Sequence, residues 1–128
     1  MKSGVDAAKT MQEWSKAGKT GVKGLCLKTC RLAWGIPAKF PSAISAWDNA
    51  STSSKNTNPL KAPVGYPHFF RGGKYGHIVI QSDKPGMVWS TDLPNKDKIG
   101  LVSWDETVKK WGFKYLGWTT ELNGQKLK

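Results

Sequence analysis

Apolar positions recur with one period in the first third of this chain and with another after residue 64. In 5–18, VDAAKTMQEWSKAG, the residues Val5, Ala8, Met11 and Trp14 fall at helical spacing, and Gly18 stops the pattern. The spacing predicts a helix there, followed by the glycine loop KTGVKG. A second helix is predicted from about Leu25 to Trp34. Cys26, Cys30, Ala33 and Trp34 share one stripe of it, Lys28 and Arg31 turn away, and Gly35 and Pro37 end it. PSAISAWDNA, 41–50, predicts a short third helix with Pro41 and Ser42 at its start. Residues 51–63, STSSKNTNPLKAP, are turn formers with almost no apolar content and predict a long surface loop.

Beyond that loop the pattern becomes that of strands. GYPHFF (65–70), GHIVIQS (76–82) and GMVWST (86–91) are short runs rich in β-branched and aromatic residues, separated by the turns RGGKYG and DKPG. SWDETVKKWG, 103–112, predicts a helix capped by Ser103, with Glu106 completing a capping box, and FKYLGWTTELNG supplies a last strand. Helices first and an antiparallel meander afterwards predict an α+β fold, N-terminal helices packed on a small antiparallel sheet. The length fits one domain, 1–128, with 1–19 as an N-terminal helix and 20–124 as the core.

Charge narrows the partners. The chain carries 20 Lys+Arg against 9 Asp+Glu, a net +11, and eighteen of the cations are lysine. Lysine is a hydrated point charge, whereas arginine reads phosphate and guanine with two bonds at once. The balance predicts diffuse attraction to a polyanion, nucleic acid or an anionic cell wall, without sequence reading. No apolar run approaches 18 residues, so no membrane span is expected. The start MKSGVDAAKT lacks the apolar stretch of a secretory signal, which predicts synthesis in the cytoplasm without a signal peptide.

The chemistry centres on GKTGVKGLCLKTCRLAWGIP, 18–37, which holds both cysteines of the chain four residues apart. That separation on a helix fits a disulfide poorly. Two cysteines with His68 and His77 do not make a recognisable zinc pattern, so no metal is expected. Both cysteines are either small buried hydrophobes or one is a nucleophile. A helix start behind a glycine loop favours a thiolate, through free backbone N–H groups and the positive end of the dipole, with Lys23 and Lys28 adding potential. Cys26 lies in that first turn and Cys30 one turn deeper, so Cys26 is the candidate nucleophile. His77, behind Gly76 at the head of the most hydrophobic strand, is the candidate base, and His68 between bulky neighbours is structural. A third group should orient the imidazole. Asp92 is the first choice, on the strand expected beside His77, with Ser90 and Gln81 as alternatives.

GLCLKTCRLAWG at a helix start, Pro63 to Gly65 leading into a strand, then GGKYGHIVI and VWSTD together resemble the papain-like peptidoglycan hydrolases of the CHAP and NlpC type, most of all the catalytic domains of bacteriophage lysins. The likeness spans about residues 20–124. It implies a papain-like core and a cysteine hydrolase that cuts an amide bond of peptidoglycan, as an amidase or endopeptidase, with Cys26 as nucleophile and His77 as base. It implies no cofactor. Bacterial peptidoglycan and anionic cell-wall polymers would be the partners, with no specific nucleic acid, and the protein would act at the wall as a monomer. Trp34, Trp47 and Trp89 are the candidates for lining the substrate groove, while core packing is the role expected of most of the seven tryptophans. The competing readings are a basic nucleic-acid-binding module, a thiol deamidase or acyltransferase effector on the same scaffold, and a folded interaction domain with no chemistry.

Overall fold

The computed structural model describes residues 1–128. Helix α1 (Gly4–Lys16) starts at Ser3, whose hydroxyl accepts the Asp6 N–H at 3.2 Å. Its buried face is Gly4, Ala7, Ala8 and Met11, and small side chains there let it lie close against α2. Val5 is exposed, so the predicted stripe is out of phase at its first position. Helix α2 (Cys26–Trp34) buries Cys26, Cys30, Ala33 and Trp34 as the periodicity predicts, and Gly35 ends it in the left-handed conformation. The Trp34 indole N–H donates to the Gly65 carbonyl at 2.8 Å, tying α2 to the start of the sheet. Helix α3 (Ala43–Asp48) is capped by Ser42, whose hydroxyl accepts the Ser45 N–H at 3.2 Å.

Six strands form one antiparallel sheet in the order β1-β6-β2-β3-β4-β5. They are β1 (Lys55–Asn56), β2 (Pro67–Arg71), β3 (His77–Gln81), β4 (Met87–Thr91), β5 (Ile99–Ser103) and β6 (Lys114–Thr119). A small hairpin, β7 (Glu121–Leu122) with β8 (Gln125–Lys126), follows. The α+β class is as the sequence predicts, and no helix is long and apolar enough to cross a membrane.

Three details differ from the sequence pattern. The loop 51–63 contains β1, which pairs with β6 at the sheet edge. Ile99–Ser103 is a strand paired along its whole length with β4, so Ser103 is a strand residue. Helix α4 (Glu106–Trp111) therefore starts at Asp105 without a side-chain cap, and the Ser103 hydroxyl donates to the Asp105 carboxylate at 2.6 Å. The last long strand does not extend the meander: β6 returns to lie between β1 and β2.

Every residue of β3 is buried. Phe69, Ile78 and Ile80 face the main core with α1, α2 and α3, while Phe70, Val79, Val88 and Val102 form a second core under Trp104, Val108 and Tyr115. A strand covered on both faces reads as a continuous apolar run, which is why HIVI shows no alternation.

Candidate active site

The β3–β4 ladder pairs only Ile80 with Trp89 and Gln81 with Val88. Toward its start β3 therefore leaves one edge free, and α2 takes that edge. The Ile78 N–H points at the Cys26 sulfur, and the Cys30 thiol donates to the Ile78 carbonyl at 3.8 Å. The N–H and C=O of one strand residue point the same way, so two sulfurs one helical turn apart meet both groups.

Cys26 opens α2. The first intrahelical bond runs from the Thr29 N–H to the Leu25 carbonyl, so the N–H groups of Cys26 and Leu27 have no partner within the helix and lie beside the thiol. His77 is placed by Gly76, whose φ is +71° and whose missing Cβ leaves room for the Phe70 carbonyl and Ile44. Its ring packs on Phe70 and on the edge of Trp111, with 4.8 Å between the His77 and Trp111 centroids.

Of the three candidates for orienting the imidazole, Ser90 is the one that meets it. His77 Nε2 lies 2.9 Å from Ser90 Oγ, and that hydroxyl donates its own proton to the Thr91 carbonyl at 2.9 Å. Ser90 Oγ is thus the acceptor, His77 carries its proton on Nε2, and Nδ1 is the ring's free base. Ser90→Ala is expected to lower kcat about tenfold with KM nearly unchanged, because the ring loses its tautomer anchor. Steady-state kinetics check this; unchanged kcat would remove Ser90 from the site.

The other two orienting candidates lie elsewhere. Asp92 follows the end of β4 with φ +64°, so the two-residue alternation that would put it on the face of Ser90 is broken. Its carboxylate accepts the Gly24 N–H at 3.1 Å and the Asp97 N–H at 2.7 Å. Gln81 is four residues along β3 from His77, about 13 Å away at strand rise. Its Oε1 accepts from His68 Nε2 at 2.8 Å, while His68 Nδ1 accepts the Tyr115 hydroxyl at the same distance. His68 is fully buried in that network, a structural role. No three His, Cys, Asp or Glu side chains gather where they could hold a metal ion.

Two cavities meet at Gly24, Cys26 and Tyr75. One, about 470 Å³, runs along α2 past Lys28 and Arg31 to Phe40. The other, about 250 Å³, holds His77, Asp92, Lys74 and Trp111. None of the three tryptophans expected in the groove lines either. Trp34 is 0% exposed in the core. Trp47 stacks on Phe69 under the Lys55 ammonium, and Trp89 lines a separate cavity against α1. The groove tryptophan is Trp111, on α4, which the pattern of SWDETVKKWG marks only as a helix end.

Burial sets the protonation. It pushes the Cys26 thiol up to about 11, against the lowering pull of the Ile78, Leu27 and Cys26 N–H groups, and Asp92 adds to the rise. The sequence-based expectation of a thiolate stabilised at rest is therefore reversed. Burial also takes His77 down to about 4 and Cys30 well above the usual thiol range. At neutral pH a neutral thiol and a neutral imidazole line the same cavity. Compared with known proteins, the chain matches no family model, no curated protein and no solved structure.

Proposed function

We propose that this protein is a cysteine hydrolase of bacterial peptidoglycan, an amidase or endopeptidase with a papain-like core of the CHAP and NlpC type. The observation that carries the chemistry is the relay from Ser90 to His77 in the cavity that Cys26 shares, which leaves Nδ1 bare as a base. His77 Nδ1 takes the Cys26 proton as sulfur attacks the amide carbon. The N–H groups of Cys26 and Leu27 stabilise the oxyanion. The imidazolium then protonates the leaving amine, the C–N bond breaks, and an acyl-thioester remains. Water, deprotonated by His77, attacks the thioester and releases the carboxylate and the thiol.

The choice of substrate rests on the motif resemblance and on charge. Lys28, Arg31 and Lys74 line the two cavities, while the carboxylate among them, Asp92, is occupied by backbone N–H groups. Such a groove suits a peptide that bears free carboxylates, as the stems of peptidoglycan do. The net +11 favours an anionic wall as the surface on which the protein works, as a monomer made in the host cytoplasm.

Mass spectrometry of purified peptidoglycan after incubation tests the reading. Soluble fragments with one new amine and one new carboxyl, absent with Cys26→Ser, support it and identify the bond. Intact peptidoglycan, together with salt-sensitive DNA binding that ignores thiol blockade, would replace it with a nucleic-acid-binding module. Intact peptidoglycan with thiol-dependent turnover of another amide or ester would indicate an effector on the same scaffold.

A further inference from the structure

The loop that delivers Cys26 is held from outside. Residues 19–25 bury only Val22, Gly21 and Gly24 sit at φ +79° and +70°, and α2 has no side-chain cap. Left to itself such a segment has many conformations open to it. Three successive N–H groups of the loop instead meet two carboxylates 68 to 75 residues away in sequence. Asp97 Oδ1 accepts from Val22 and Lys23, both at 2.9 Å, and Asp92 Oδ2 accepts from Gly24 at 3.1 Å.

The carboxylates are themselves locked together. Asp92 Oδ1 accepts the Asp97 N–H at 2.7 Å, and the Asp92 N–H donates to the Lys98 carbonyl at 2.8 Å, closing the β4–β5 loop at its base. Both aspartates stand at positive φ, +64° and +63°. Backbone in that region is costly for a residue with a side chain and persists where surrounding contacts enforce it. Lys98 Nζ adds a bond to the Gly18 carbonyl at 3.0 Å, and Ser15 Oγ one to the Ile99 carbonyl at 2.6 Å.

We propose that Asp92 and Asp97 form a clasp that positions Cys26, holding the loop 22–24 so that the thiol and the first N–H groups of α2 keep their aim. Both are positioning residues, acting through the loop backbone. The inference rests on the reading of Cys26 as nucleophile and extends it to the residues that set its place.

The geometry makes the two aspartates unequal. Asp97 receives the Val22 and Lys23 N–H groups on one oxygen, so an asparagine carbonyl keeps both bonds and gives up only the carboxylate's pull on the Gly21 N–H. Asp92 uses both oxygens, so an asparagine there turns an NH₂ toward a donor. Asp97→Asn is therefore tolerated and Asp92→Asn is not. The experiment compares Asp97→Ala, Asp97→Asn and Asp92→Asn by iodoacetamide alkylation of Cys26, read by peptide mass spectrometry, and by kcat and KM on peptidoglycan, with thermal melting as the control on folding.

Asp97→Ala and Asp92→Asn are expected to lower kcat about tenfold to a hundredfold with KM within about twofold, since small misplacements of a reacting group cost that much. The same variants should raise the alkylation rate about fivefold or more, because a loosened loop uncovers a buried thiol. Asp97→Asn should restore both readouts to nearly wild type. If Asp97→Ala does not fold, the asparagine pair decides alone. If the wild type leaves peptidoglycan intact, alkylation still decides the clasp while the proposed substrate falls. Equal alkylation rates in all folded variants, or a damaging Asp97→Asn beside a silent Asp92→Asn, would overturn the proposal.

Discussion

Cys26→Ser is expected to reduce peptidoglycan cleavage by roughly ten-thousandfold or more while the protein still folds. The substitution exchanges sulfur for oxygen at nearly the same size, in a place where the side chain is already met by the Ile78 N–H. A hydroxyl is a far weaker nucleophile, and a base as weak as His77, held near 4, cannot compensate. Cys30→Ala is the paired control. Cys30 is 1% exposed and shares the core with Ala33 and Trp34, so its loss should cost on the order of 1 kcal/mol of stability and leave most activity. Loss of activity in Cys30→Ala with retention in Cys26→Ser would exchange the two roles. Because burial keeps the Cys26 thiol protonated, its alkylation at neutral pH should be slower than that of an exposed cysteine.

Acid should unfold this protein well above the usual carboxylate range. His68 and His77 are both buried and both held near 4, in each case chiefly by burial, while in the unfolded chain they titrate near 6.5. As pH falls below 6.5 the unfolded chain takes up two protons that the native state refuses. Stability is therefore complete above about 6.5, declines through the window from 6.5 to 4, and has no more to lose from these groups below about 4. Each histidine contributes ~3 kcal/mol to the decline, a large share of the 5–15 kcal/mol typical of a domain. Urea midpoints measured at half-unit steps from pH 7.5 to 4 should fall steadily across that window. A flat profile would mean that both rings accept protons in the folded state.

How much of this was legible in the amino-acid order depends on the distance over which each feature is decided. The helical stripe of Cys26, Cys30, Ala33 and Trp34 is local and appears as read. Strand β5 was hidden because Ile99–Ser103 is short, contains Gly100, and adjoins a stretch with the marks of a helix cap; its pairing with β4 decides it. The return of β6 beside β2 is likewise a long-range choice. At the site, the depth of Cys26 relative to Cys30 could be read, since it follows from helix position. Ser90 displaced Asp92 because one left-handed residue at the end of β4 ends the strand alternation, which no pattern of apolar side chains records. The dipole at the start of α2 is visible in sequence, but the burial that outweighs it comes from the sheet and loops packed around it.

The contact of α2 with the edge of β3 also governs where this chain tolerates changes in length. Inserting or deleting one residue between Cys26 and Cys30 would swing the second sulfur by about 100° around the helix and leave either the N–H or the carbonyl of Ile78 facing carbon. The same change in the exposed turns around Ser53 or Lys61 would pass unnoticed at the thiol, since neither turn lines the cavities that Cys26 opens into. Among homologous chains, insertions and deletions should therefore gather in the 51–63 segment, and the four-residue interval between the cysteines should stay fixed as a measure cut to a single peptide unit.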